Sequence, residues 1–292
     1  MNLQSKIIRD FNIASLTGPP KRKTALLINP PIYDTQHWAE WSQPYGLLRI
    51  GTLLKKYHYK RVELFDFLET YGKKQIPNHR INPEENYWET NHPAPPVKPI
   101  VISKGKDSIE VYKKHFGKSW KEFENWLKDQ EFDANHPPSE VWISAIMTYW
   151  WESVRDLTMR LKRLFGQKTT IILGGIYSTL APEHAACMTS ADIVVAGEID
   201  EANELWTDLS FYSKPPTYAI ITPSRGCSFN CSYCAQKTIN SGVQKVRHRL
   251  PTNIVAEIKS KYEIRGGQQP HRHRGVGAGA DDKVSGAIFP LA

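Results

Sequence analysis

Three of the four cysteines in this 292-residue chain lie within eight positions, in the segment RGCSFNCSYC at 225–234. Cys227, Cys231 and Cys234 have the spacing C-x3-C-x2-C, and three thiolates on one loop suit a soft metal centre. Structural zinc normally takes four ligands, often as two pairs, and the chain has no second pair of cysteines. Three cysteines can instead hold a 4Fe–4S cluster and leave one iron open. A zinc loop or free thiols are the alternatives.

The elements on either side of the cysteines predict a strand, a loop and a helix. YAIITPS reads as a strand after a proline pair, and LPTNIVAEIKSKYEI has the apolar spacing of a helix. The cysteines therefore lie in the loop after the carboxyl end of a strand, which is where active sites gather in α/β folds. We assign residues 211–265 to the start of a second domain.

The preceding residues alternate between strand-like and helix-like segments. TALLIN, RVELFDFLE, EVWISAIM, TTIILGG and ADIVVAGE read as strands, and helical patterns lie between them. About five strands interleaved with helices predict an α/β domain at 21–210 with a doubly wound parallel sheet, after an N-terminal extension at 1–20. Residues 72–139 interrupt the alternation as an irregular insertion, in which DSIEVYKKHFGKSWKEFENWLKDQEF predicts one or two amphipathic helices.

The positive charge of the chain is concentrated around the cysteines. Residues 1–209 carry 26 basic and 26 acidic side chains, whereas residues 210–265 carry nine basic and two acidic ones. Such a segment can attract nucleic acid or acidic ligands, or form a solvated face. No apolar run approaches the length of a membrane span, and the N-terminus lacks a signal-peptide core. We therefore expect a cytoplasmic protein without a membrane partner.

The cysteine segment resembles the signature of the radical S-adenosylmethionine enzymes, C-x3-C-x-aromatic-C on the loop after the first barrel strand. The resemblance implies that Cys227, Cys231 and Cys234 are ligands of a 4Fe–4S cluster and that Tyr233 packs near the adenine of S-adenosylmethionine. In that family the open iron chelates S-adenosylmethionine, whose reductive cleavage gives a deoxyadenosyl radical that abstracts a substrate hydrogen. The resemblance also implies an electron donor such as a flavodoxin or ferredoxin, but it does not identify the substrate.

The upstream domain is similar to the Rossmann-like cobalamin-binding domain that precedes the radical domain in one subgroup of that family. LLINPPIYD, QPYGLLRIGTLLKK, ISAIMTYWW, ILGGIYSTLAPE and VVAGEIDEA occur in the order that the subgroup shows. The resemblance implies a methyltransferase or a ring-forming enzyme, with cobalamin over the strand ends, close backbone approach at Gly174 and Gly175, and Met147, Thr148 and Tyr149 along the corrin. The glycine pair could instead form a tight strand-to-helix turn. The cobalt-ligating signature D-x-H-x-x-G is absent.

Two alternatives compete with a cobalamin-dependent radical enzyme. The tRNA methylthiotransferases share the cysteine loop but carry three further cysteines upstream, whereas residues 1–209 contain only Cys187, so nucleic acid is not the expected partner. The family's radical domain is a partial TIM-type barrel, of which 211–265 supplies only the first β/α unit. The glycine-rich tail 266–292 is expected to be disordered, so the chain also reads as a truncated, non-catalytic fragment.

Two further residues carry expectations of their own. Glu198, in AGEIDE, is expected to cap the following helix. Cys187, in a short predicted helix with apolar neighbours, is expected to be a buried, inert thiol.

Overall fold

The structure is a computed structural model that describes residues 5–16, 22–34, 43–69, 89–93, 100–104, 107–111, 113–214, 216, 218–240, 245–264 and 288–290. Most of the proline-rich part of the predicted insertion and nearly all of the predicted disordered tail lie outside these residues. None of the described helices is long and apolar enough to cross a membrane.

The described residues form fifteen strands and eight α-helices. In chain order the strands are β1 Lys6–Ile8, β2 Thr24–Asn29, β3 Ile32–Asp34, β4 Arg61–Asp66, β5 Glu89–Pro93, β6 Ile100–Lys104, β7 Asp107–Val111, β8 Lys114–Phe116, β9 Glu140–Ser144, β10 Thr170–Gly174, β11 Ile193–Val195, β12 Tyr218–Ile220, β13 Ser224–Arg225, β14 Arg247–His248 and β15 Ile288–Pro290. The helices are α1 Tyr45–Lys56, α2 Trp120–Asp129, α3 Trp151–Phe165, α4 Ile176–Leu180, α5 Pro182–Met188, α6 Asp200–Asn203, α7 Gln236–Ile239 and α8 Pro251–Ile264.

Six strands form one parallel sheet in the order β1-β11-β10-β9-β2-β4. From β2 onward this is a doubly wound arrangement in which the strand order reverses between β2 and β9. The predicted parallel α/β fold of the Rossmann-like class is therefore confirmed. The sixth strand, β1, comes from the segment that the sequence assigns to an extension, and it lies at the edge of the sheet beside β11.

Both faces of this sheet are buried, as alternation along its strands requires. In β2, Ala25 and Leu27 belong to a core packed with Leu48 of α1, whereas Leu26 and Ile28 belong to a second core on the opposite face. The second core contains the apolar stripe of α3, formed by Val154, Leu157, Leu161 and Phe165. Helices therefore cover both faces of the sheet.

The predicted insertion is only partly as expected. The helix α2 is present and begins with a capping box between Ser119 and Glu122. The residues before it are not helical: DSIEV forms β7, paired antiparallel with β6, and KHF forms β8, in a three-stranded sheet ordered β3-β8-β5. Their backbone groups are satisfied by strand pairing, of β7 with the adjacent β6 and of β8 with β3 and β5, which are distant in sequence, so this part of the helix prediction is wrong.

The segment after residue 211 has the predicted strand, loop and helix, but its strand does not join the parallel sheet. The described partner of β12 is β15, with which it pairs antiparallel. Residues 288–290 therefore have regular structure within the tail for which the sequence predicts none. The loop with the cysteines leads through α7 and β14 into α8.

Candidate functional site

A cavity of about 360 Å³ lies at the carboxyl ends of β9, β10 and β11. Ser144, Gly174 and Val195 line it from the sheet, and the first half of α1 lines it from the side. Three residues of the later segment, Ile220, Arg225 and Ile239, complete the wall, which is mostly apolar. The cavity is therefore shared between the parallel sheet and the segment with the cysteines.

The two glycines predicted to approach a cofactor have different structural roles. Gly175 has φ 100°, and a Cβ there would collide with the backbone oxygen of Ala145, so the strand-to-helix turn itself requires glycine. Gly174 ends β10 and lines the cavity, and a Cβ there would meet nothing nearer than the carbonyl oxygen of Ile143 at 4.0 Å. Gly174 is thus the glycine whose missing side chain leaves space for a ligand.

The other three residues predicted to contact a cofactor lie on the surface just after β9. Met147, Thr148 and Tyr149 are exposed, and none of them lines the cavity. Thr148 and Tyr149 belong to a short 3-10 helix that precedes α3. They are accessible to a ligand too large to enter the cavity.

The cysteine loop, residues 226–246, is closed at its base by a very short hairpin. Arg225 of β13 pairs with Arg247 of β14, and Ser224 pairs with His248. Gly226 has φ 97°, and a Cβ there would collide with the carbonyl oxygen of Lys245, so the base closes this tightly because residue 226 is glycine. Cys227 is the next residue, so the tight turn at Gly226 determines where the first thiol of the loop lies.

The thiols of the cysteine loop are free, and none forms a disulfide. Cys227 is half-buried, Cys231 and Cys234 are exposed, and the amide of Cys234 donates a hydrogen bond to the carbonyl of Cys231 at 3.2 Å. Tyr233 is 90% exposed. Within the described part of the chain, no three His, Cys, Asp or Glu side chains are grouped closely enough to hold a metal ion. The donor chemistry suits a soft metal, but the thiols are not already drawn together.

Glu198 connects the sheet to the cysteine loop. It follows β11, its side chain is 8% exposed, and its carboxylate accepts hydrogen bonds from Arg225 and, at 2.7 Å, from Arg247. Burial alone would raise the pKa of Glu198, but the two guanidinium groups outweigh burial and hold the pKa below its ordinary value. The predicted capping role is wrong: α6 has no side-chain cap, and Glu198 binds both strands of the hairpin instead.

A second buried ion network fixes α8 against the same region. Glu257 is fully buried and binds Arg249 at 2.7 Å and Lys261 at 2.6 Å. Lys261 also donates a hydrogen bond to the hydroxyl of Thr207 at 2.5 Å. Thr207 lies at the end of the α/β domain. The cysteine loop is therefore held through its base and through the helix that follows it.

The arginines of these networks are the site residues that sequence reasoning missed. The positive excess of 210–265 was a signal for them, since Arg225, Arg247 and Arg249 contribute to it. The prediction that Cys187 is a buried thiol is also wrong, because its thiol is exposed.

Comparison of the chain with protein-family models, curated proteins and solved structures gives no match.

Replacing Glu198 by Gln should loosen the base of the cysteine loop. The carboxylate is buried and doubly hydrogen-bonded to charged donors, so we expect the free energy of unfolding at pH 7 to fall by about 1–3 kcal/mol. Because the pKa of Glu198 is lowered on folding, this contribution is present above about pH 4.5 and is lost as the pH falls through the folded value.

Urea unfolding of the wild type and Glu198→Gln at pH 7 and at pH 3 measures this difference. Glu183→Gln is the matched control, since Glu183 is 72% exposed in its pair with Arg9, and it should change stability little. Equal effects of the two substitutions, or a difference for Glu198→Gln that is as large at pH 3 as at pH 7, would contradict the assigned role.

Proposed function

We propose that the chain is a cobalamin-binding type of α/β domain joined to the start of a radical S-adenosylmethionine domain. The observation that carries the proposal is the attachment of the cysteine loop to the cavity at the strand ends. Arg225 lies two residues before Cys227, Ile239 lies five residues after Cys234, and both line that cavity. A group held by the cysteines would therefore lie near the ends of the parallel strands, where α/β proteins bind their ligands.

Cys227, Cys231 and Cys234 would hold a 4Fe–4S cluster through three thiolates. The donor set fits, because the three thiols are free, lie on one loop and leave one iron without a protein ligand. When bound, such a cluster supplies an electron for the reductive cleavage of S-adenosylmethionine. The thiols must be drawn together as the cluster assembles, which is usual for metal sites that are not preformed.

The protein's own residues would position this loop rather than react. Glu198 binds both Arg225 and Arg247 and so reduces the repulsion between them, which lets the two strands of the hairpin lie side by side. Gly226 lets the backbone turn tightly immediately before the first cysteine. Tyr233 offers an exposed aromatic face between the second and third cysteines, suited to stacking on a purine.

Cobalamin would lie across the strand ends and only partly enter the cavity. The space left by Gly174 and the largely apolar wall suit a bulky organic cofactor. Met147, Thr148 and Tyr149 are exposed beside the end of β9 and are free to contact the part of the cofactor outside the cavity. With both cofactors at one edge of the sheet, methyl transfer is the reaction class that the arrangement favours.

The cluster proposal predicts iron uptake that depends on the loop cysteines. After anaerobic reconstitution, the full chain should bind about four iron and four sulfide per chain, because one 4Fe–4S cluster forms. Cys231→Ala should lose most of this iron, whereas Cys187→Ala, which removes the exposed thiol outside the loop, should keep it. Stoichiometric zinc without iron uptake, or equal loss in both variants, would defeat the cluster assignment.

The cobalamin proposal predicts a graded response at Gly174. Hydroxocobalamin should remain bound to the full chain through gel filtration, and Gly174→Leu should weaken binding at least about tenfold because the side chain fills the cavity. Gly174→Ala should bind nearly as well as the wild type, and circular dichroism should show both variants folded. The proposal that cobalamin binds at this cavity would be contradicted if Gly174→Leu bound cobalamin with wild-type affinity, or if the wild type did not bind it.

A further inference from the structure

A second, small pocket of about 50 Å³ adjoins the cavity and is lined by four arginines. Arg49 comes from α1, Arg225 and Arg247 from the hairpin, and Arg249 from the residues just before α8. Arg49 and Arg225 line both spaces. A group that occupies the small pocket can therefore continue into the larger cavity.

The carboxylates around this pocket do not satisfy all of its cations. Glu198 serves both Arg225 and Arg247, and Glu257 serves both Arg249 and Lys261. Glu204 also lines the pocket, without an ion pair to an arginine among the described residues. Arg49 donates to the backbone carbonyls of Leu205, at 2.8 Å, and Asn203, and it has no carboxylate partner within the described part of the chain.

Arg49 is affected by this excess of positive charge. Its pKa is lowered, chiefly by burial; the neighbouring charges of Arg225 and Arg249 act in the same direction, whereas Tyr45 and Glu257 act in the opposite one. An anion in the pocket would relieve this repulsion, because opposite charges stabilise one another strongly where water is excluded.

Arg249 has donors that nothing in the described structure accepts. Its side chain is 7% exposed, and its Nη1 donates to Glu257 at 2.7 Å and to the carbonyl of Thr222 at 3.3 Å. Its Nε and Nη2 are buried and have no hydrogen-bond partner, and the Nε of Arg247 is in the same state. Buried donors on a charged group are costly to leave unpaired, so the pocket has the chemistry of a site that lacks its acceptor.

We propose that this pocket binds one oxyanion group, a carboxylate or a phosphate, of a small organic ligand whose apolar part lies in the adjoining cavity. Guanidinium groups recognise such oxyanions through paired, planar hydrogen bonds. The volume of about 50 Å³ admits a single group of this size, and the largely apolar wall of the cavity suits a hydrocarbon body. The inference requires neither the cluster nor cobalamin, and its test contains neither.

Calorimetric titration of the full chain, at constant ionic strength and without iron or cobalamin, tests the ligand class. The probes are octanoate, octyl phosphate, octan-1-ol and inorganic phosphate. At least one of the two amphipathic anions should bind one per chain and at least about tenfold more tightly than octan-1-ol. The tighter of the two identifies carboxylate or phosphate as the preferred group. Equal affinity for the alcohol and both anions, or no saturable binding of either anion, would overturn the proposal.

Arg249→Lys tests the pocket itself, because it keeps the charge beside Glu257 but removes the unpaired Nε and Nη2 donors. The variant should bind the preferred anion about tenfold more weakly and octan-1-ol unchanged. Arg247→Lys, at a side chain that is 40% exposed, provides the same comparison if Arg249→Lys does not fold. Arg9→Gln, in an exposed pair, is the control and should leave anion affinity unchanged. Unchanged anion affinity in the folded lysine variant, or an equal loss in Arg9→Gln, would place the anion elsewhere.

Discussion

The buried carboxylate of Glu198 is the interaction on which the arrangement of the cysteine loop depends. The hairpin that closes the loop has only two residue pairs, and a ribbon of that size is not stable by itself. Two guanidinium groups face each other across it, and without an anion between them they would repel each other. Glu198 supplies that anion from the loop after β11, so the base of the cysteine loop is fixed to the sheet.

This attachment brings the hairpin to the carboxyl ends of the strands, which all lie on the same side of a parallel sheet. The loops after β9, β10 and β11 meet there and leave a cavity, and the hairpin adds Arg225 to its wall. The proposed cluster, the proposed cobalamin and the proposed oxyanion pocket would consequently be neighbours at the carboxyl ends of the strands. A single buried anion between two arginines brings a loop that is distant in sequence to the place where the fold binds ligands.

The fold was largely predictable from the sequence, whereas the contacts that assemble the site were not. The apolar spacing of α1, α3 and α8 and the short apolar runs of the sheet are local signals. The strand β8 lacks such a signal, because β3 and β5, which are distant from it in sequence, rather than its own composition determine its pairing. Glu198 reads as a helix cap because its partners, Arg225 and Arg247, lie 27 and 49 residues away. Gly174 and Gly175 are the same residue type, so the sequence does not distinguish their roles, which follow from backbone conformation and surroundings.

The electron paramagnetic resonance spectrum of the reduced, reconstituted full chain tests most directly whether the cysteine loop holds a cluster with one open iron. It should be recorded anaerobically with and without S-adenosylmethionine. Three thiolate ligands leave one iron available, so the spectrum should be that of a 4Fe–4S cluster and should change when S-adenosylmethionine is added. A cluster spectrum that S-adenosylmethionine leaves unaltered, or the absence of any iron–sulfur signal, would contradict the assignment of Cys227, Cys231 and Cys234.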